Sequence, residues 1–216
     1  MTARPTRIGT KRLRRDEILD EATRLFAERG YEGTSMADLA ERVGLRKASL
    51  FHHFASKEVL YAAVLERLVA AVAGAILKAA QTPGSFLERT DFLSDAITTV
   101  LGDQPFAARL LIREVMDWGP VVRDHLAATM MTTLAAAEQF VRAGQDEGAI
   151  APELDPKHLI VSVIGVHFMP FAIGGIVERF IGHDPADPIF VENRRKIVRE
   201  HIRNLILVKK KNGIKS

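Results

Sequence analysis

The chain has 216 residues, 47% of them hydrophobic, with a formal net charge of +3 and no cysteine. That length can bury a core in one or two domains. The lack of cysteine excludes a disulfide scaffold, a thiolate zinc site and a cysteine nucleophile, and it fits a reducing, cytoplasmic setting. Charge collects at the ends: Arg4, Arg7, Lys11, Arg12, Arg14 and Arg15 precede the first acid, and Lys209, Lys210, Lys211 and Lys215 close the chain. Residues 1–14 therefore read as a basic arm and 209–216 as a basic tail, both suited to a polyanion partner. No apolar run follows the first charges, so no secretory signal is expected there.

In chain order the pattern is helix after helix, an all-α fold without repeats. RDEILDEATRLFAER, residues 15–29, puts Ile18, Ala22, Leu25 and Phe26 at helical spacing, with Gly30 as the stop. Thr34-Ser35 precedes a short helix with Met36, Leu39, Ala40 and Val43 on one face and Gly44 at its end; Ser35 and Asp38 have capping-box spacing. A second short helix is expected from Lys47 to Phe54, and Ser56 caps a long one that runs to about Ala80, before Pro83-Gly84. Further helices are expected over 86–101, 105–117, 121–147, 156–180 and 189–209, separated by Gly and Pro clusters.

The stretch GLRKASLFHHFASKE, residues 44–58, is too rich in cationic, hydroxyl and imidazole groups for a core helix. Two short helices joined by Gly44-Leu45-Arg46 have the layout of a helix-turn-helix, whose second helix enters the DNA major groove. At ~100° per residue, Leu50 and Phe54 share one side while Ala48, Ser49 and His52 fall opposite and Lys47 and Phe51 line a flank. Lys47 can meet a guanine edge or a phosphate, and Ser49 either. Ala48 permits close approach and offers a methyl contact, Phe51 adds apolar contact, and His52 can donate. Thr34 and Lys57, at helix N-termini, suit phosphate.

Residues 15–60 resemble the DNA-binding region of the TetR family of bacterial transcriptional regulators, through ILDEATRLFAERGYEGTSM, DLAERVGL, KASLFHHF and SKEVL. The resemblance implies recognition-helix roles for Lys47, Ala48, Ser49, Phe51 and His52, and backbone contacts for Thr34, His53 and Lys57. Arg46 stands where the family often has a serine cap, Ala48 where glycine is frequent, and Phe51 where tyrosine is usual. Losing the phenol removes a phosphate hydrogen bond, for which the Arg46 charge can substitute. The resemblance also implies that residues 61–208 form a helical domain that binds a small effector and pairs two copies through its last two long helices, here 156–180 and 189–209. The apolar stripe Ile197, Ile202, Leu205 and Ile206 supports that pairing independently.

A pool of large soft side chains can wall an effector pocket: Met116, Trp118, His125, Met130 and Met131, with His167, Phe168, Met169 and Phe171. Asp124-His125 is no dyad, because neighbours on a helix point apart. Asp184 and Asp187 in GHDPADP can bind a cation or simply form a turn; no metal or cofactor is expected. Leu159 to Val177 carries no Asp, Glu, Lys or Arg and is long enough to span a membrane, yet Ser162, His167 and Pro170 favour a buried helix or helix pair. An enzyme has little support, since no phosphate loop, H-E-x-x-H or nucleophile elbow is present. The reading is a homodimeric, ligand-responsive regulator, most simply a repressor released from a palindromic DNA operator by a small apolar or aromatic molecule. The rival is a helical small-molecule carrier, which leaves residues 34–57 unexplained.

Overall fold

The computed structural model describes residues 7–206, with side chains from Arg14 onward. Ten α-helices appear among them, with no strand: α1 (Arg7–Arg29), α2 (Met36–Arg42), α3 (Lys47–His53), α4 (Lys57–Gln81), α5 (Phe86–Asp103), α6 (Pro105–Met116), α7 (Ala127–Asp146), α8 (Pro156–Ala172), α9 (Gly174–Ile181) and α10 (Pro188–Ile206). A π-helical turn, Val122–Leu126, leads into α7. The helix expected from residue 15 thus begins at Arg7, inside the segment read as an arm; residues 1–6 and the tail 209–216 lie outside the described residues.

The chain forms two compact units. One comprises the described residues up to Leu68 together with Phe106–Ala128; the other comprises Val69–Pro105 and the described residues from Thr129. The expected division placed 61–208 in a single domain, whereas α6 and the π turn belong with the first unit.

The first unit is built on the apolar face read from the sequence. Ile18, Ala22, Leu25 and Phe26 of α1 are buried along with Leu39, Leu50, Phe54 and Tyr61. The Phe26 and Tyr61 rings meet edge to face at 4.8 Å between centroids. Charged groups fasten α2 to α1: Arg42 bridges Glu21 at 2.9 Å and Glu28 at 2.8 Å, and Arg14 donates to the Val43 carbonyl at 2.7 Å.

In the second unit, α5, α7, α8 and α10 bury Phe86, Phe140, Leu159, Val198, Ile202 and Ile206 together. The stripe expected to face a second copy is therefore split. Ile202 and Ile206 belong to this core, while Ile197 and Leu205 are exposed on another face of α10. Along the α5–α10 contact, Arg195, Arg199 and Arg203, one turn apart, reach Thr99, Asp95 and Asp91 respectively.

The helix expected over 156–180 is two helices. α8 ends at Ala172 and α9 turns away by 78°. Pro170 is the physical reason, since it has no N–H to give the Val166 carbonyl one turn back. Arg194 of α10 takes over that carbonyl at 2.6 Å, so the break is stabilised by a partner rather than left open. The stretch considered as a membrane span thus runs through this bend. α4 is long and apolar enough to cross a membrane by length and composition, with 56% of its most apolar window buried within the fold.

Candidate nucleic-acid interface and internal cavity

The turn before α3 closes as a Schellman motif. The Leu45 N–H donates to the Ala40 carbonyl at 2.8 Å and the Gly44 N–H to the Glu41 carbonyl at 3.1 Å. Gly44 has φ 62, the left-handed conformation this motif requires. Arg46 follows in extended geometry as the N-cap, without a side-chain capping bond, which leaves its guanidinium exposed.

Leu50 (0% exposed) and Phe54 (1%) anchor α3, and the Arg15 guanidinium lies 4.4 Å over the Phe54 ring. With that side fixed, Lys47, Ala48, Ser49, Phe51 and His52 are all exposed, as the helical spacing requires, and His53 is half-buried. Lys47 Nζ lies 5.9 Å over the Phe51 ring, and the His52 and His53 rings are 6.5 Å apart. Among the described residues neither Arg46 nor Lys47 has an acidic partner, unlike Arg14, Arg29, Arg42 and Arg67 of the same unit. The face therefore presents cations and hydrogen-bonding groups not already spent on the fold.

One expected contact is corrected, and a second residue is found to have a partner within the fold. Thr34 is buried, and its hydroxyl turns inward to the Gly30 carbonyl at 2.8 Å and the Leu25 carbonyl at 3.3 Å. It holds the α1–α2 turn instead of facing outward; the N-cap of α2 is Ser35, whose oxygen accepts from the Asp38 N–H at 3.1 Å. Lys57 Nζ donates to the Tyr31 carbonyl at 2.9 Å, lies 4.2 Å over the Tyr31 ring and is 3.9 Å from Glu32. It ties the start of α4 to the same turn.

The second unit holds a partly open cavity of about 130 Å³, lined from α4, α5, α7, α8 and α10. His167 and Phe168 are among its lining residues. Phe171, one turn further, is buried against Phe190 at 6.3 Å between centroids and is not part of the lining. Met130 is half-buried away from the lining, and Met131 and Met169 are exposed. Met116 (80% exposed), Trp118 (58%) and His125 belong to the first unit and are not among the lining residues of this cavity. Trp118 sits on a left-handed turn after α6 (φ 47), and His125 Nε2 is 3.4 Å from Glu58. Asp124 pairs instead with Arg123 at 3.0 Å, so the adjacent acid and imidazole have separate partners.

Beside His167, the polar side chains of the cavity wall are ones that sequence reading passed over. Ser94 of α5 is buried with its hydroxyl 3.3 Å from His167 Nε2, and Thr90 and Thr133 also line the space. A signal was available: Thr90, Ser94 and Thr98 recur every fourth residue, a hydroxyl stripe on the inward side of α5. Burial holds the His167 imidazole below its ordinary value, so it is neutral at pH 7.

No group of His, Asp or Glu among the described residues could hold a metal ion. In GHDPADP, Asp184 accepts from the Ala186 N–H at 2.7 Å and Asp187 from the Ile189 N–H at 2.8 Å, a turn feeding α10.

Residues 18–64 match a family described as bacterial regulatory proteins, tetR family, and residues 87–202 match the tetracyclin repressor-like C-terminal domain. This chain belongs to the TetR family. The HTH-type transcriptional regulator RutR of Escherichia coli (strain K12) is 31% identical over 192 residues, covering 86% of this chain and 89% of RutR. Among solved structures, the ketosteroid transcriptional regulator KstR2 of Mycobacterium tuberculosis superposes with a TM-score of 0.72 at 20% identity, covering 91% of this chain and 96% of that one. AibR, solved with isovaleryl coenzyme A and operator DNA, gives 0.65 at 21% identity, covering 90% and 98%. TetR-family membership makes the chain a DNA-binding transcriptional regulator. Both of its units have structural counterparts in the family fold.

Proposed function

We propose that the chain is a cytoplasmic, homodimeric repressor that leaves its operator when a small molecule enters the cavity of the second unit. The observation carrying this reading is the face of α3, where Lys47, Ser49 and His52 are exposed while Leu50 and Phe54 lock the helix in place. In this reading Lys47 and Ser49 reach base edges or phosphates, and His52 donates beside them. Ala48 lets the helix lie deep in the groove, Phe51 packs on a thymine methyl or sugar, and Arg46 and His53 hold phosphates. Thr34 and Lys57 act by positioning α2 and the start of α4. Two such helices, one per copy, enter successive major grooves of a palindrome about 34 Å apart.

Pairing of two copies is supported by the apolar side chains left exposed on the last helices: Val161 and Ile164 on α8, Ile176 and Phe180 on α9, and Ile197 and Leu205 on α10. Coupling is supported by α4, one continuous helix that starts at Lys57 and supplies Val72 and Ile76 to the cavity. An effector that fits better in one arrangement of the second unit biases that helix, and by linkage DNA weakens effector binding by the same factor. The test is to incubate purified protein with fragmented genomic DNA from its source and sequence what is retained. Enrichment of a palindromic site supports the reading; retention without any common sequence contradicts it.

A further inference from the structure

The cavity accepts hydrogen bonds but has none left to give. Four polar side chains line it: Thr90, Ser94, Thr133 and His167. Thr90 donates to the Phe86 carbonyl and Thr133 to the Thr129 carbonyl, each at 2.9 Å and four residues back in its own helix. His167 Nδ1 lies 2.9 Å from the Val163 carbonyl, which can only accept, so the neutral ring carries its proton there. Nε2 is then an acceptor, and the nearby Ser94 hydroxyl donates to it. Each of these side-chain donors has its partner within the wall, and the surface they present to the space is almost wholly apolar. No Lys, Arg, Asp or Glu lines the space; Arg194, the cation near His167, gives Nη2 to the Val166 carbonyl and lies outside the lining, its buried Nε without a partner.

We propose that this cavity takes an uncharged, mainly apolar molecule about the size of one ring, whose single hydroxyl or N–H donates to the Ser94–His167 pair. The inference rests on the reading of this cavity as the effector site. A ligand hydroxyl can donate to Ser94 Oγ, or slip between the two side chains, accepting from Ser94 and donating to Nε2. A carbonyl finds no donor unless it takes the Ser94 proton, which leaves Nε2 as an unmet buried acceptor. A carboxylate or phosphate would add a buried charge with no cation in the wall. The volume agrees, since apolar cavities of about 150 Å³ admit benzene.

Para-cresol, its methyl ether and para-toluate have one frame and differ in donor and charge. Isothermal titration of the full chain should show cresol binding at least about tenfold more tightly than the ether, and no binding of toluate. The double substitution Ser94→Ala/His167→Leu, which removes both acceptors, should bring the cresol-to-ether ratio to about one, with continued ether binding showing that the variant folds. Ile97→Trp, which fills the cavity, should abolish both.

An ether that binds as well as cresol would overturn the proposal. So would a cresol advantage that survives loss of both Ser94 and His167, no binding of any probe, or preferred binding of toluate or of isovaleryl coenzyme A. Operator affinity is measured separately. Cresol bound by these criteria without loss of DNA supports the ligand class and removes the effector role. DNA release by an acid alone overturns the class and leaves the effector role standing.

Discussion

The two units of this protein place function on opposite sides of the same packing rule. In the first, core residues hold a short helix so that its remaining side chains face outward, and periodicity that identifies Leu50 and Phe54 as core identifies Lys47, Ser49 and His52 as surface. In the second, the space proposed for an effector lies among core residues. Ser94 and His167 are buried as deeply as the leucines around them, and no period separates lining from filler. The contrast teaches that an external recognition face is a by-product of amphipathic spacing, whereas an internal binding site exists only once several helices meet.

The sharpest way to break the comparison is to remove the anchor under α3. Leu50→Ala should destabilise the first unit by about 2–5 kcal/mol, read by urea unfolding, and DNA binding should fall with it. An unchanged midpoint would mean that the recognition face does not depend on that core.

Arg194→Ala addresses the second unit, where a broken helix rather than a continuous one frames the cavity. The Val166 carbonyl freed by Pro170 would lose its donor, and the expected cost is about 1–3 kcal/mol in thermal or denaturant unfolding. Arg194→Lys should recover part of it.

How much of each unit was legible follows from these particulars. The turn at Gly44, the caps at Ser35 and Ser56 and the buried face of α1 are local, and the sequence spacing carries them. Thr34 misled because a hydroxyl at a helix start can face phosphate or its own turn, and only the position of the Leu25 and Gly30 carbonyls decides. Met116, Trp118 and His125 were grouped with His167 by chemical type, but the chain returns Phe106–Ala128 to the first unit. The break at Ile173 was foreshadowed by Pro170, yet what steadies it is an arginine on a different helix. For Thr34 the deciding carbonyls lie four and nine residues back, whereas for Arg194 and for the segment Phe106–Ala128 the partners are distant in sequence.

Acid should act on the interior of the second unit. Burial lowers the His167 pKa from an ordinary 6.5, so the unfolded chain binds the extra proton first. Stability contributed by this neutral imidazole is present above about pH 6.5 and is lost as pH falls below it, with a slope approaching about 1.4 kcal/mol per unit. His167→Gln should flatten that part of the pH–stability curve; an unaltered curve would show that the ring is not held neutral by burial.

The mildest perturbation is Gly44→Ala. No atom lies within 4 Å of the added methyl, so only the left-handed φ of 62 is penalised, at about 1 kcal/mol. Affinity for DNA should fall by no more than the stability loss explains if the turn keeps its geometry.

The most direct measurement compares folding and operator binding in one variant, Lys47→Ala/His52→Ala, using a genomic fragment retained by the wild type. Because both side chains are exposed, unfolding free energy should move by no more than about 0.5 kcal/mol for each substitution. Fluorescence anisotropy should show affinity weakened by about 1–3 kcal/mol for a base contact, or a salt slope reduced by about one for a phosphate contact. Wild-type affinity and salt slope in the fully folded variant would contradict the assignment of α3 as the surface that reads DNA.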